Sequence, residues 1–265
     1  MERELESLLL WWDVSGVGVP EIKPAAKKRS KVSAHRPVSA KESISTKPKT
    51  TPQITVSAPH NSNDISDLIL AARKVAASAK TVAELQKAIT NFDVGALSDA
   101  ARQPVFSRGN PEASVMVIGE APGTDEDRQG KPFVGPSGQL LDKIFASIGL
   151  DETSLYITNI INWHRPGNRN PSAQDIEICR PLIERHIELI APKVVILVGS
   201  VSMNTLSDRK GITKSRGEWT EIKAGKHECP GLIVYHPAYL LRQPQLKKET
   251  WRDMLALKQH LAEPN

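Results

Sequence analysis

Residues 119–138 read GEAPGTDEDRQGKPFVGPSG, and this stretch decides how the rest of the chain is read. Ahead of it runs Ser114-Val115-Met116-Val117-Ile118, short, β-branched and bounded by turn residues, the pattern of a buried strand. Within it, Gly119, Gly123, Gly130, Gly135 and Gly138 let backbone approach a ligand closely. Pro122, Pro132 and Pro136 stiffen the path between them. A helix is expected from Pro136-Ser137, with Leu140, Leu141, Ile144 and Ile148 on one face. A strand, a glycine-rich loop and a helix in succession form a ligand-binding place beyond the carboxyl end of a strand in an open α/β sheet. The loop also carries the carboxylates Glu120, Asp125, Glu126 and Asp127. Such acidity argues against a phosphate cradle, which wants a lysine and bare amides. It suits a neutral ring or a developing positive charge.

Further strands are expected at 155–160 (LYITNI), 193–199 (KVVILVG) and 231–236 (GLIVYH). Helices are expected over 172–190, 201–206 and 247–261. Four strands separated by helices imply an α/β fold, a three-layer α/β/α sandwich around a four-stranded parallel sheet. Upstream, helical spacing begins at Asp64, Thr81-Val82-Ala83-Glu84 has the form of a capping box, and a short helix is expected over 96–102. Residues 64–265 are therefore assigned to one domain. Residues 20–63 are rich in Lys, Ser, Pro, Thr and Ala and read as a basic, disordered linker, either a tether or an electrostatic arm for nucleic acid. Residues 1–19 hold RELESLLLWW, a short amphipathic helix ending in Trp11 and Trp12.

Bulk properties narrow the class. No apolar run approaches the ~18 to 20 residues of a membrane span, and the N-terminus lacks the basic-then-apolar layout of a secretory signal. The two cysteines, Cys179 and Cys229, read as free thiols in a reducing compartment. A net charge of +5 permits a polyanionic partner without requiring one.

Glu120, Asn159 and His236 each end an expected strand, and parallel strands bring such ends to one edge. Each has a plainer reading: Asn159 as a turn residue, His236 as a packed or capping residue before Pro237. Together they make a chemical set. Asn pairs a donor with an acceptor on one plane, as reading a nucleobase edge requires. His can donate to an oxygen gaining negative charge, and Glu can orient or deprotonate water. Phe133 is either a core aromatic or a platform for a stacked ring.

The stretches GEAPGTDEDRQGKPFVGPSGQLLDKI, YITNIINWHRPGNRNPSAQDIEICRPLI and VYHPAYLLR, in this order and spacing, resemble the bacterial and archaeal family 4 uracil-DNA glycosylases over about residues 64–261. The resemblance implies an enzyme that flips uracil out of DNA and hydrolyses its N-glycosidic bond, leaving an abasic site and initiating base excision repair. It places Phe133 as the stacking ring, Asn159 on the uracil edge, His236 on uracil O2, Glu120 near the attacked sugar carbon, Glu126 as a second acid and Ala121 beside uracil C5. Arg165, Asn168, Arg169, Leu241 and Arg242 would touch the DNA, Leu241 as a wedge. The expected partners are uracil-containing DNA and its abasic product, bound by a monomer in the cytoplasm at the nucleoid. Three rival readings are a non-catalytic binder of uracil or abasic DNA, a protein that becomes covalently attached to it, and a small-nucleotide hydrolase, which the DNA-like loops disfavour.

One departure stands out. The family holds an iron–sulfur cluster on four cysteines, of which only Cys179 has a match; Phe92, Gly95 and Trp163 occupy the other positions. No cofactor and no metal are therefore expected. Phe92 and Trp163 are expected to pack together near a buried Cys179, filling the space with aromatic surface.

Overall fold

The computed structural model describes residues 62–263. The expected segment 1–19 lies outside the described residues, as does the linker apart from its last two positions. Those two open the first helix, α1 (Ser62–Ser78), which therefore starts slightly earlier than its apolar spacing suggests. Helix α2 (Val82–Thr90) is capped by Thr81, whose side chain accepts from the Glu84 amide at 3.2 Å. Glu84 reaches back past the cap to the Lys80 amide at 2.7 Å, closing the N-terminus from both directions. A single turn, α3 (Ala96–Asp99), completes this helical arm.

Among the described residues the sheet has six strands rather than four: β1 (Arg108–Gly109), β2 (Val115–Gly119), β3 (Leu155–Asn159), β4 (Val194–Val198), β5 (Trp219–Ala224) and β6 (His227–Val234), in the order β1-β3-β2-β4-β6-β5. The inner four run parallel, with Val117 level with Ile157 on one side and Ile196 on the other, and Leu197 level with Ile233. The two edges are antiparallel. Neither edge strand was readable in advance. β1 is too short to show alternation, and β5 is hidden because its inner neighbour β6 runs through Pro230-Gly231, which looks like a break although both residues pair with β5, at Glu221 and Thr220.

Successive strand residues feed two cores, as the pleat requires. Met116, Ile118, Tyr156, Val195, Leu197 and Ile233 face α1, α2, α6 (Ala173–Ile190) and α7 (Ser200–Leu206). Val115, Val117, Ile157, Ile196 and Leu232 face α5 (Pro136–Ala146), α9 (Pro237–Arg242) and α10 (Lys247–Ala262). The chain leaves β2 for β3 through α5, then crosses to β4 on the other side through α6. The direction of winding therefore reverses at β2, and the crevice lies beyond its carboxyl end, where residue 119 begins the decisive stretch.

That stretch is not all loop: it contains α4 (Thr124–Gln129), whose first turn carries Asp125, Glu126 and Asp127 where the helix dipole favours negative charge. Similarly, the segment of Leu240, Leu241 and Arg242 is the helix α9, not a loop. A further turn, α8 (Ile212–Ser215), precedes β5.

On the α6 side, Phe92 and Trp163 meet edge to face with ring centroids 6.4 Å apart. Trp163 is 2% exposed and shares one core with Cys179, against which Phe92 also packs. Burial, with the Asp175 charge adding to it, raises the Cys179 thiol well above the ordinary range and keeps it protonated, while the Asn162 backbone and Arg165 oppose this. Cys179 and Cys229 are both buried and free.

Candidate active site

A cleft of about 820 Å³ opens over the carboxyl ends of β2, β3, β4 and β6. Glu120, Ala121, Glu126, Phe133, Asn159, Arg165, Asn168, His236 and Arg242 all line it, although they come from three separate stretches of sequence.

Two of these residues, Asn159 and Phe133, close in on Gly119, the last residue of β2. A methyl group there would lie 2.4 Å from the Asn159 carboxamide oxygen and 2.4 Å from Phe133 Cζ, so only glycine lets the amide and the ring flank this point. The Asn159 Oδ1 atom is buried and meets no hydrogen-bond donor among the described residues. An unmatched buried acceptor carries a desolvation cost unless a ligand satisfies it. Phe133 sits at φ +55°, a left-handed conformation unusual for an aromatic residue. Its surroundings enforce that geometry. Glu126 Oε1 accepts from the amides of Val134 and Gly135 at 2.9 and 2.8 Å, and Oε2 accepts from Gly123 at 3.1 Å. Arg108 donates to the carbonyls of Pro132 and Phe133. A side chain at Gly138 would collide with the Phe133 carbonyl. Glu126 is thus the internal clasp of this loop: it borders the cleft, but its oxygens are engaged with backbone.

His236 lies 5.8 Å from Phe133, ring centre to ring centre, tilted by 30°. Its Nδ1 accepts from the Ala238 amide at 3.2 Å, which caps α9. An amide can only donate, so Nδ1 carries no proton and neutral His236 holds its proton on Nε2. Burial pushes the imidazole down to about 4, Arg242 adds to this, and Glu126 opposes it. The capping role and a donor role coexist, one on each ring nitrogen.

Glu120 projects just past β2, and its carboxylate is met by Arg165 Nη2 at 3.1 Å. Arg165 was expected on a DNA-facing loop; instead it is 4% exposed and points inward to this carboxylate. The Pro166-Gly167 that follows Arg165 gave no hint of direction. Asn168 is exposed and also left-handed, at φ +52°. Arg169 is exposed and pairs at 3.1 Å with Asp175, itself part of the reciprocal cap on α6. Leu241 is 46% exposed on α9, next to Arg242. Tyr235, Tyr239, Ser200 and Thr213 also line the cleft and were not anticipated. Ser200 could have been, since it follows the glycine that ends β4. Thr213 comes from α8, away from any strand end, and carried no signal.

Chemically, the cleft offers a flat aromatic face, an amide edge, a neutral N–H donor and a carboxylate around one space. A planar, polar ring can stack, be read at its edge and have charge developing on an oxygen met by His236, while Glu120 serves a cationic centre or a water beside it.

Comparison with known proteins gives the same direction. A model described as the uracil DNA glycosylase superfamily matches residues 106–255. A type-4 uracil-DNA glycosylase of Archaeoglobus fulgidus is 38% identical over 146 residues, covering 53% of this chain and 73% of that protein. One from Pyrobaculum aerophilum is 31% identical over 176 residues, 64% of this chain and 90% of that protein. A DNA polymerase of Bacillus phage SP01 is 29% identical over 153 residues, but these span 16% of that protein.

Proposed function

The chain belongs to the uracil-DNA glycosylase superfamily, and from that membership and the strand-end cleft we propose that it releases uracil from DNA by hydrolysing the N-glycosidic bond, the opening step of base excision repair. The observation that carries the reading is the convergence of Asn159, Phe133, His236 and Glu120 on one cleft.

The geometry divides the work. Uracil must leave the base stack, at a cost of a few kcal/mol, and stacking on Phe133 returns part of it. The Asn159 carboxamide matches one donor and one acceptor on the uracil edge. Its buried, unmatched oxygen is satisfied by the ring N–H. Cytosine presents an amine donor where uracil presents an acceptor, and leaves the amide mismatched. As the bond breaks, electron density moves onto the ring. The Nε2–H of His236 donates to the oxygen that gains it, and the low proton affinity of this imidazole keeps it a neutral donor rather than an acid. Glu120 faces the sugar, where positive charge develops, and orients the water. Ala121 borders the base, and Asn168, Arg169, Leu241 and Arg242 meet the DNA, with Leu241 filling the gap left in the stack.

The family's iron–sulfur cluster does not fit this chain, and we propose that none is held. Such a cluster needs about four thiolates. Of the corresponding positions only Cys179 is a cysteine, and the space beside it is occupied by the Phe92–Trp163 pair. No step is routed through a cluster.

The test is release of free uracil from single- and double-stranded uracil DNA, with the DNA examined on a denaturing gel. Uracil release and alkali-labile abasic sites are expected. Binding without release, or a DNA–protein adduct that survives denaturation, would replace this reading with one of a non-catalytic or covalent binder.

A further inference from the structure

Two arginines that fasten this fold show how a guanidinium is matched here, one withdrawn from solvent, Arg108, and one 24% exposed, Arg185. Arg108, its side chain 8% exposed, donates to the carbonyls of Pro132 and Phe133 and pairs with Asp142. Arg185 uses two nitrogens on the Ala79 carbonyl and a third on Glu188. Both engage several nitrogens at once, which offsets the cost of drawing a charge away from solvent. Arg165, with its side chain 5% exposed, makes one hydrogen bond, to Glu120. Its Nε and Nη1 are equally withdrawn from solvent and meet no acceptor among the described residues. Leaving charged donors unmatched costs free energy, so core stability gives no reason to keep an arginine here. Its one partner is a carboxylate of the cleft.

The segment that carries Arg165 is fastened to the segment of Glu120 at several further points. Ile160 and Ile161 donate backbone hydrogen bonds to the carbonyls of Gly119 and Glu120 at 3.0 and 3.1 Å. His164 Nδ1 donates to the Pro122 carbonyl at 3.0 Å, since a carbonyl can only accept. Between these contacts Trp163 is sunk in the core against Phe92. The guanidinium therefore starts from a rigid base and ends on a half-exposed carboxylate that nothing else in the described residues restrains.

We propose that Arg165 is a positioning residue for glycosidic bond cleavage: it fixes the Glu120 carboxylate in the rotamer that faces the reacting sugar. The inference rests on the glycosidase reading above. A carboxylate that must orient water or meet a cationic carbon is effective only within hydrogen-bond reach, and free rotation about its side-chain bonds dilutes that geometry. The guanidinium also places positive charge near a developing cation, which opposes catalysis. Its benefit is orientation, so its loss is felt through Glu120 alone.

That dependence is measurable with Arg165→Met, Glu120→Gln and the double variant, each in the full chain, under single-turnover conditions on uracil DNA with DNA affinity determined in parallel. Arg165→Met is expected to slow uracil release by about 10- to 100-fold with DNA affinity unchanged. Arg165→Lys, which keeps the charge and one donor, should recover part of the rate. The double variant should be no slower than Glu120→Gln alone. A wild-type rate in Arg165→Met, additive losses in the double variant, or a loss confined to DNA affinity would each overturn the proposal. If Arg165→Met does not fold, the same cycle run with Arg165→Lys decides by the same criteria. A wild-type chain that releases no uracil would sink the glycosidase reading itself, whereas an active wild type with additive losses would sink only the role of Arg165.

Discussion

Two segments rise from neighbouring strands and meet over the cleft, and they are held in opposite ways. The one after β2, residues 119–138, holds itself. The Glu126 carboxylate gathers the amides of Gly123, Val134 and Gly135, and Phe133 is locked left-handed by that clasp, by Arg108 and by the missing side chain of Gly138. The one after β3, residues 160–170, has no such internal clasp. It is gripped from below by Trp163 and Phe92, and from the side by Asn162, which exchanges hydrogen bonds with Val105 at 2.7 and 3.0 Å. The first is a local polar device; the second is an extension of the helical core. Damage to the first should stay within the cleft, whereas damage to the core beneath α1 and α2 should reach Arg165 and Glu120 through the second.

The largest effect should come from Trp163→Ala. Emptying a buried indole site costs about 3–5 kcal/mol of stability, and uracil release should fall with it because the segment loses its anchor. Trp163→Phe should restore most of both. Thermal unfolding and single-turnover release, measured on the same samples, would contradict the core-held picture if stability fell while the rate per folded molecule stayed at wild type.

At the line where the segments meet, Asn159→Ala and His236→Ala should each slow release by about 100- to 1,000-fold, the usual loss of ~2.7–4 kcal/mol for a transition-state hydrogen bond. Near-native rates in both would refute the assignment of the site. A smaller loss is expected from Glu126→Gln, which keeps the shape but weakens hydrogen bonds to a charged acceptor, each worth ~1.5–3 kcal/mol. Its signature should be local: reduced affinity for uracil DNA as Phe133 loosens, with the Phe92–Trp163 core undisturbed in tryptophan fluorescence. A shift in that fluorescence would mean the two segments are not independent.

Acid should act more gently. His236 is depressed from its ordinary value of 6.5 to about 4, and His186, enclosed by Phe106 and Tyr156, to about 3, in both cases by burial. The unfolded chain therefore takes up these protons first as pH falls through 6.5. Stability should be full above that pH and decline progressively down to about 4 and below. Uracil release should show no acid limb at 6.5 arising from His236. A limb there that vanishes in His236→Ala would contradict the neutral-imidazole assignment.

Much of the clefted edge was legible because its signals are local. Glu120 and Asn159 stand at the ends of apolar runs, and the glycines and prolines around Phe133 mark a constrained turn. On the helical side, the meeting of Phe92 and Trp163 was anticipated only through the resemblance, which sets both residues where cluster ligands would stand. What escaped depends on contacts between distant residues. Nothing near Arg165 in the sequence says that its side chain turns inward, because its partner is forty-five residues upstream. Glu126 looked like a second acid of the chemistry, and only the three amides around it reveal a clasp. The edge strands escaped because pairing creates them: β1 has two residues, and β5 pairs with the part of β6 that runs straight through Pro230-Gly231. Even α4 was hidden, as its six residues are too few to show a helical period.

The claim on which this account turns is that aromatic packing, and no iron–sulfur cluster, holds the segment after β3 in working order. The direct measurement is uracil release by protein purified and assayed in chelator, with iron and acid-labile sulfide determined on the same sample. The account predicts a colourless protein without stoichiometric iron or sulfide, releasing uracil at the same rate with chelator as without. Stoichiometric iron and sulfide, or activity that is lost on chelation and returns on reconstitution, would contradict it.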